Sequence, residues 1–227
     1  MTERATKIEP RLHWDAIDTV LLDMDGTLLD RYFDDYFWEH HLPETYGRKH
    51  GLPLAEAKAT LLARYRREEG TLAWTDLDFW SDKLGLDIPT LKLQVEHLIQ
   101  VHPYVIDFLD FCQKKGKHLH IVTNAHSKTL EIKMRKTAIG HRFHSIVCAG
   151  EVGMAKEEPG FWEKLKRIIP YHESRTLLAD DNEAVLASAR AHGIAHLIYV
   201  ARPSSTLPVR YSPDFPSIVY FKELISG

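Results

Sequence analysis

The amino-acid sequence predicts an α/β protein with a Rossmann-like three-layer α/β core, a parallel sheet and an inserted small helical cap. Short apolar runs rich in β-branched residues alternate with segments of helical periodicity, which is typical of parallel strands joined by crossover helices. After the first run, about 70 residues pass without a comparable one, far more than an ordinary connection needs. This stretch must therefore have structure of its own.

Five apolar runs are predicted to be strands, and a polar or acidic cluster closely follows each of the first four. The runs are residues 19–24, 118–123, 145–149, 175–180 and 195–200. Because open α/β sheets bind ligands at the carboxyl ends of their strands, we expect the polar clusters to converge on one site.

Helices are predicted between the runs, each ending before a Gly or Pro that closes its periodic stretch. They cover residues 103–115, 127–138, 159–169 and 182–192. After Arg202, four prolines predict a surface loop that leads to a short closing segment near 219–224.

The long insertion is predicted to be a helical cap. Residues 55–67 and 89–100 are rich in strong helix formers, and residues 32–41 carry aromatic side chains at helical spacing. The predicted domains are a core of residues 1–30 and 103–227 and a cap of residues 31–102.

The composition is that of an ordinary globular protein, with 44% hydrophobic and 27% charged residues. A formal net charge of −3 gives no basic surplus, so we expect no nucleic-acid polymer and no membrane as partner. No run approaches the roughly 18 apolar residues of a spanning helix, and the first residues lack the apolar stretch of a signal peptide. We expect a cytoplasmic protein that is a monomer or a weak homodimer.

Cysteine and histidine usage gives no metal or disulfide framework. Cys112 and Cys148 have no ligand spacing and are predicted to be buried thiols in a reducing compartment. The 14 histidines include close pairs such as His118 and His120, but no third ligand is near in the sequence, so surface or satisfied positions are expected. His126, directly after the polar cluster of the second run, is the exception to test.

Two carboxylates end the first apolar run: Asp23 and Asp25, followed by Gly26 and Thr27. Residues two apart face the same side of a strand, and because the strand ends here the second carboxylate can lie in the loop beside the first. Two acids would then share one pocket. An EF-hand calcium loop is excluded, because its Gly comes sixth and Gly26 comes fourth.

The segment 23–27 resembles the D-x-D-G-T signature of the haloacid dehalogenase-like superfamily. Further motifs of that family are matched, in order, by Thr123, Lys156 and the pair Asp180-Asp181. Two neighbours depart from the common pattern: Ala155 precedes the lysine and Asn182 follows the acidic pair. The resemblance spans essentially the whole chain and places the insertion where the family carries its helical cap.

The resemblance implies a Mg²⁺-dependent phosphomonoesterase that acts through an aspartyl-phosphate. Asp23 would attack phosphorus, and Asp25 would be the general acid for the leaving alkoxide and then the base for water. A carboxylate and a phosphate charge repel by about 4 kcal/mol at 4 Å and an effective dielectric of 20, so cations must offset this charge. Lys156 would supply one cation, and Thr123 and Asn124 would bind the remaining phosphate oxygens.

The implied magnesium ligands are the carboxylate of Asp23, the backbone carbonyl of Asp25, and Asp180 with Asp181. Asp25 also argues against carbon–halogen cleavage. That reaction has no leaving oxygen to protonate, and the dehalogenase branch generally lacks the second aspartate.

A more extended similarity concerns the substrate. Residues 17–30, 37–38, 79–87 and 123–126 resemble the bacterial branch of purine 5′-nucleotidases that act on GMP and IMP. The expected partner is a small-molecule phosphate monoester. Phe33, Phe37 and Trp38 are expected to form the core of the cap helix, with stacking on a flat base as the alternative.

Other functions share the same motifs. A sugar phosphate or phosphoglycolate phosphatase would differ only in its cap, and a phosphomutase would return the phosphate to a second hydroxyl group. A non-catalytic binding protein that retains the fold is the alternative from a different class.

Overall fold

The computed structural model describes residues 6–225. A six-stranded sheet, in which every neighbouring pair is parallel, has the order β3-β2-β1-β4-β5-β6. The strands are β1 (Thr19–Leu22), β2 (His118–Thr123), β3 (Ser145–Cys148), β4 (Thr176–Asp180), β5 (His196–Val200) and β6 (Ser217–Ile218). Among the described residues, no helix is long and apolar enough to cross a membrane.

The register brings the carboxyl ends of the central strands to one level. Leu22 at the end of β1 lies beside Ile121 of β2 and Ala179 of β4. Asp23, the next residue, is therefore beside the last residues of both neighbouring strands. This is the position where parallel sheets bind ligands.

The helices of the first half of the chain lie between β1 and β2. They are α1 (Tyr32–Tyr36), continued by a π-helical turn (Phe37–His41), α2 (Leu42–His50), α3 (Leu54–Glu68), α4 (Leu72–Thr75), α5 (Leu77–Leu84), α6 (Ile88–Gln94), a 3₁₀ turn (Glu96–Leu98) and α7 (Val105–Lys114). The insertion is thus helical, as predicted.

The later helices connect the remaining strands. They are α8 (Ser127–Thr137), α9 (Ala149–Val152), α10 (Phe161–Leu165) and α11 (Glu183–His192). Short 3₁₀ turns cover Trp14–Ala16, Gly140–Arg142, Glu173–Arg175 and Phe221–Leu224.

Alternating side chains of the sheet build two separate hydrophobic layers. Val20 and Leu22 of β1 pack into one buried cluster with Phe108 of α7, whereas Leu21 packs into the other with Trp162 of α10. Because successive residues of a strand point to opposite faces, helices cover both faces of the sheet. This arrangement confirms the predicted three-layer α/β class.

The first hydrophobic cluster continues from the sheet into the inserted helices. Trp80 is fully buried there, and its ring makes edge contacts with Tyr65 and Trp74 at centroid distances of 5.3 and 6.3 Å. The indole N–H of Trp80 donates to the carbonyl of Trp74 at 2.9 Å. Aromatic side chains therefore form the part of this continuous core that lies among the inserted helices.

The structure differs from the sequence prediction in several places; for example, the helix predicted over 89–100 is divided into α6 and the 3₁₀ turn Glu96–Leu98. Residues 217–218 add a sixth strand within the predicted surface loop; two residues are too few to show a period, and pairing with β5 decides their conformation. The helix predicted over 159–169 is limited to Phe161–Leu165, because Gly160 has a φ of +94° and the chain forms turns after Leu165. The five predicted strands are present, and both cysteines are free and buried as predicted.

Three histidines lie together where β2 meets the segment before β3. His120 is buried, its Nδ1 is 2.6 Å from Ser145 Oγ, and its ring is 5.8 Å from that of His144. Burial and repulsion from His144 and His118 lower the pKa of His120 from 6.5 to about 4. The folded protein therefore keeps this ring neutral.

We expect this histidine to make the fold sensitive to acid. The unfolded chain takes up the proton of His120 near pH 6.5, whereas the folded chain takes it up only near pH 4. The contribution of His120 to the free energy of unfolding is therefore fully present above the unfolded pKa. It is lost as the pH falls through this window, by about 2 kcal/mol between about pH 7 and pH 5. Urea unfolding at both pH values measures the loss.

The test variant is His120→Asn, and His141→Asn is its matched control. His120→Asn should lose about 2 kcal/mol less stability than the unmodified protein between about pH 7 and pH 5, whereas replacing the exposed His141 should leave the pH dependence unchanged. An unchanged pH dependence in His120→Asn would contradict the assignment.

Candidate active site

Asp23 stands at the carboxyl end of β1, in the middle of the sheet. Its side chain is buried, and its backbone N–H donates to the carbonyl of Ala179 at 3.0 Å, so the ladder between β1 and β4 extends to this residue. Burial raises the pKa of Asp23 to about 6; Lys156 opposes this shift and Asp180 adds to it.

Lys156 is the buried cation of the site. Its Nζ lies 2.5 Å from Oδ1 of Asp23 and 2.7 Å from Oδ2 of Asp180, and its side chain is 2% exposed. Burial lowers the pKa of Lys156, but attraction from Asp180 and Asp23 outweighs it and raises the pKa above its ordinary value. Lys156 therefore remains charged and joins the acids of two neighbouring strands.

A third acid, Asp181, completes a group of carboxylates. Oxygens of Asp23, Asp180 and Asp181 all lie within 4.8 Å of one another. Burial raises the pKa of Asp181 well above its usual range, and repulsion from Asp23 and Asp180 adds to this shift. Arg31 Nη1 donates to Asp181 Oδ2 at 2.9 Å.

This donor set fits a hard divalent cation. All three candidate ligands are carboxylate oxygens, which Mg²⁺ prefers, and their crowding is offset by only two side-chain cations, Lys156 and Arg31, among the contacts of the described residues. A bound cation would relieve the mutual repulsion that raises the pKa values of these acids.

The loop after β2 supports the lysine. Oδ1 of Asn124 accepts from the backbone N–H of Lys156, and Nδ2 of Asn124 donates to Glu157, both at 2.9 Å. The other oxygen of Glu157 accepts from Nδ2 of Asn182, also at 2.9 Å. Glu157 thus connects the loops that follow β2 and β4. The sequence interpretation missed Glu157, because both contacts are long-range.

Thr123 ends β2 inside the same cavity as Asp23. Its side chain is buried, and its Oγ1 accepts from the backbone N–H of Ala125 at 3.0 Å. His126 lines the same cavity, caps the start of α8 and has its Nε2 3.5 Å from Oδ1 of Asp76. Thr123 and His126 therefore both face the cavity, and His126 also contacts the inserted helices through Asp76.

Asp25 lies beside the three-carboxylate group and has a different partner. Its Oδ1 accepts from Nζ of Lys133 on α8. Burial raises the pKa of Asp25 to about 6; Lys133 opposes this shift, and Asp34 and Asp23 add to it. Lys133 and Asp34 were not predicted as site residues, because nothing in their local sequence separates them from solvated helix residues.

One cavity of about 650 Å³ joins these residues to the inserted helices. From the sheet side it is lined by Asp23, Asp25, Thr123, Lys156, Asp180 and Asp181, and from the inserted helices by Trp38, Glu39, Tyr65, Arg66, Glu69 and Trp74. This volume is in the range that encloses a small organic ligand. Phe33 and Phe37 are buried core residues as expected, whereas the half-buried Trp38 lines the cavity.

These features agree with the comparison of the chain with known proteins. The sequence model of the haloacid dehalogenase-like hydrolases matches residues 17–193, and the chain belongs to this family of hydrolases. It is 35% identical over 212 residues to the GMP/IMP nucleotidase YrfG of Escherichia coli (strain K12). That alignment covers 93% of this chain and 96% of the relative.

Solved structures confirm the fold. The HAD phosphatase from Thermococcus onnurineus superimposes with a TM-score of 0.76 at 22% identity, over 92% of this chain and 96% of that one. A putative beta-phosphoglucomutase from Thermotoga maritima superimposes with a TM-score of 0.67 at 18% identity, over 92% of this chain and 97% of that one. At these identities the likeness concerns the fold alone.

Gly26 gives a test of how tightly this site is packed. Its φ is +85°, and a Cβ there would lie 2.5 Å from Oδ2 of Asp181 and 2.9 Å from Cβ of Pro203. We expect Gly26→Ala to lower the free energy of unfolding by about 3 kcal/mol, from positive φ and overpacking together. Urea denaturation measures this loss.

Gly51→Ala is the matched control. Gly51 has a φ of +66°, and among residues 6–225, apart from its chain neighbours, none has an atom within 4 Å of an added Cβ. Gly51→Ala therefore has the backbone strain without the steric clash. We expect Gly51→Ala to lower the free energy of unfolding by about 1 kcal/mol. Equal losses in the two variants would contradict close packing of Gly26 on Asp181.

Proposed function

We propose that the protein is a Mg²⁺-dependent phosphomonoesterase that acts on purine 5′-nucleotides, GMP and IMP first, through an aspartyl-phosphate. The observation that carries the chemistry is the buried Lys156 between Asp23 and Asp180, with Asp181 beside them, at the wall of a ligand-sized cavity. The substrate is supported by the 35% identity to a GMP/IMP nucleotidase over 93% of this chain.

Asp23 is the proposed nucleophile. One of its oxygens is held by Lys156, which orients the carboxylate and leaves the second oxygen to attack phosphorus. Attack breaks the bond between phosphorus and the ester oxygen and forms the aspartyl-phosphate on Asp23. Lys156 also offsets part of the repulsion between the carboxylate and the phosphate.

Asp25 is the proposed general acid and base. It lies two residues from Asp23, lines the same cavity and has a pKa raised to about 6, so it is able to hold a proton near neutral pH. Asp25 gives this proton to the leaving alkoxide. It then takes a proton from the water that attacks the aspartyl-phosphate, which releases inorganic phosphate and regenerates Asp23.

The proposed ligands of Mg²⁺ are the carboxylates of Asp23, Asp180 and Asp181 and the backbone carbonyl of Asp25. A cation bound there supplies positive charge that stabilises the transferring phosphoryl group. The side chain of Thr123 and the backbone N–H groups of the loop after β2 are the proposed donors to the remaining phosphate oxygens.

The aromatic residues of the inserted helices are the proposed base-binding surface. Trp38 and Trp74 both line the cavity, and their rings are stacked at a centroid distance of 6.5 Å and an interplanar angle of 23°. A purine has a flat π-face that packs well on an indole. Glu39, Arg66 and Glu69 add charged groups to the same wall.

The first test is phosphate release from a panel of 5′-nucleotides, sugar phosphates and phosphoglycolate. We expect GMP and IMP to be hydrolysed fastest, EDTA to abolish the activity and added Mg²⁺ to restore it. Asp23→Asn should lower kcat by about 10³-fold or more, because it removes the nucleophile.

Asp82→Asn, a change of the exposed aspartate on α5, is the matched control and should keep full activity. Preference for another monoester would retain the chemistry and exclude the nucleotide. Formation of an isomer instead of inorganic phosphate would identify a phosphomutase. Unchanged turnover in Asp23→Asn would contradict the nucleophile.

Replacement of Trp74 tests the base-binding surface. Loss of stacking costs about 1–3 kcal/mol per base, so Trp74→Ala should raise KM for GMP by about 10-fold or more. The backbone carbonyl of Trp74, which accepts from Trp80, is retained in this variant. Steady-state kinetics with GMP and with glycerol phosphate measure the effect.

Trp74→Phe, which keeps an aromatic ring, should have a KM for GMP close to that of the unmodified protein. KM for glycerol phosphate should change little in either variant, because this ester has no base. An equal rise of KM for both esters would exclude Trp74 as a base contact.

A further inference from the structure

Four charged side chains form a continuous chain from Asp25 into the inserted helices. We call Asp25, Lys133, Asp34 and Lys92 the charge chain. Lys133 Nζ donates to Oδ1 of Asp25 and to Oδ2 of Asp34, and Lys92 Nζ donates to Oδ1 of Asp34 at 2.6 Å. Asp25 follows β1, Lys133 is on α8, Asp34 is on α1 and Lys92 is on α6. The charge chain therefore links the loop after β1, which carries Asp25, to the inserted helices.

Both lysines are buried, each with a relative exposure of 1%. A buried ammonium group is tolerated only when it is paired, and the two aspartates balance the two lysines in charge when Asp25 is ionised. Aromatic faces surround the same groups: Lys92 Nζ is 4.9 Å from the ring centroids of Phe33 and Phe37, and Lys133 Nζ is 5.3 Å from that of Phe33. This apolar wall leaves the lysines few alternative partners.

The contact with Lys133 restricts how Asp25 is oriented. One carboxylate oxygen, Oδ1, is engaged by the ammonium group, so Oδ2 is the oxygen left for the substrate. Asp25, Asp34 and Lys92 line the cavity, whereas Lys133 is not among its lining residues. Lys133 therefore acts on the reaction through Asp25 and not by touching the substrate.

We propose that Lys133 is the positioning residue of the general acid. It holds Oδ1 of Asp25 so that Oδ2 faces the leaving oxygen. Because Lys133 also binds Asp34, this orientation depends on how α1 and α6 pack against α8. This inference rests on the proposed role of Asp25. It adds a residue that keeps the acid in place and a physical link between the inserted helices and the chemical step.

A purely structural role for Lys133 makes a different prediction. A general acid matters for a poor leaving group such as a nucleoside 5′-alkoxide, and little for p-nitrophenolate, which departs without a proton. Misplacing Asp25 should therefore slow formation of the aspartyl-phosphate from the nucleotide selectively. The ratio kcat/KM reports this step, whereas the later attack of water, in which Asp25 is the base, is common to both esters. Simple damage to the fold should slow both esters to the same extent.

The experiment compares kcat/KM for GMP and for p-nitrophenyl phosphate in the Mg²⁺-supplied protein, in Lys133→Met and in Asp25→Asn. We expect Lys133→Met to lower kcat/KM for GMP by about 100-fold and to change kcat/KM for p-nitrophenyl phosphate less than about 3-fold. The double variant Lys133→Met/Asp25→Asn should be no slower than Asp25→Asn alone, because the two residues act as one unit.

Lys133→Gln/Asp34→Asn is the second variant, in case the methionine variant does not fold. It keeps the remaining buried charges balanced and retains an N–H donor for Asp25. We expect it to lose kcat/KM selectively for GMP, as Lys133→Met does, but by a smaller factor. Thermal unfolding of each variant confirms that the compared proteins are folded.

The outcomes separate this inference from the proposed function. Equal losses of kcat/KM on the two esters, or a double variant that multiplies the two single losses, would overturn the positioning role and leave the phosphatase function standing. Absence of turnover of both esters by the unmodified protein would overturn the proposed function and this inference with it.

Discussion

The ion pairs of Lys156 with Asp23 and Asp180 are the interaction on which the rest of the site depends. They bring acids from β1 and β4 into contact within the protein interior, where unpaired carboxylates would be strongly destabilising. The same pairs leave one acidic group, Asp181, supported by Arg31 at the cavity wall. A divalent cation complements this arrangement of charges, and its bound charge would be needed to admit an anionic phosphate.

The sheet provides the rigidity that such a site requires. Parallel pairing of β1 with β2 and β4 places Asp23 and Thr123 at the same end of the sheet, and side chains of both faces pack into dense hydrophobic layers. Loop contacts through Asn124 and Glu157 then fix the backbone of Lys156. Functional side chains on rigid elements keep their geometry without rearrangement during the reaction.

The inserted helices close the other side of the cavity by two kinds of contact. Aromatic packing around Trp80 continues the hydrophobic cluster of the sheet into these helices, while the charge chain connects α1 and α6 to α8 and to Asp25. Apolar packing is tolerant of small displacements, whereas a buried ion pair is satisfied in one geometry only. The charge chain therefore adds a geometrically specific contact between these helices and the loop after β1 that carries Asp25.

Local patterns in the sequence determined the parallel sheet, the helical insertion and the acids at the strand ends, because strand and helix periods and end signals are short-range. The family signature likewise identified Asp23, Asp25, Thr123, Lys156, Asp180 and Asp181 as candidate site residues. Only the tertiary structure decided the partners of Asp25 and the role of Glu157. Lys133 belongs to a polar helix segment, yet it is buried between Asp25 and Asp34, 108 and 99 residues away in the chain. Such pairs depend on how helices from distant segments meet, and no local spacing encodes that meeting.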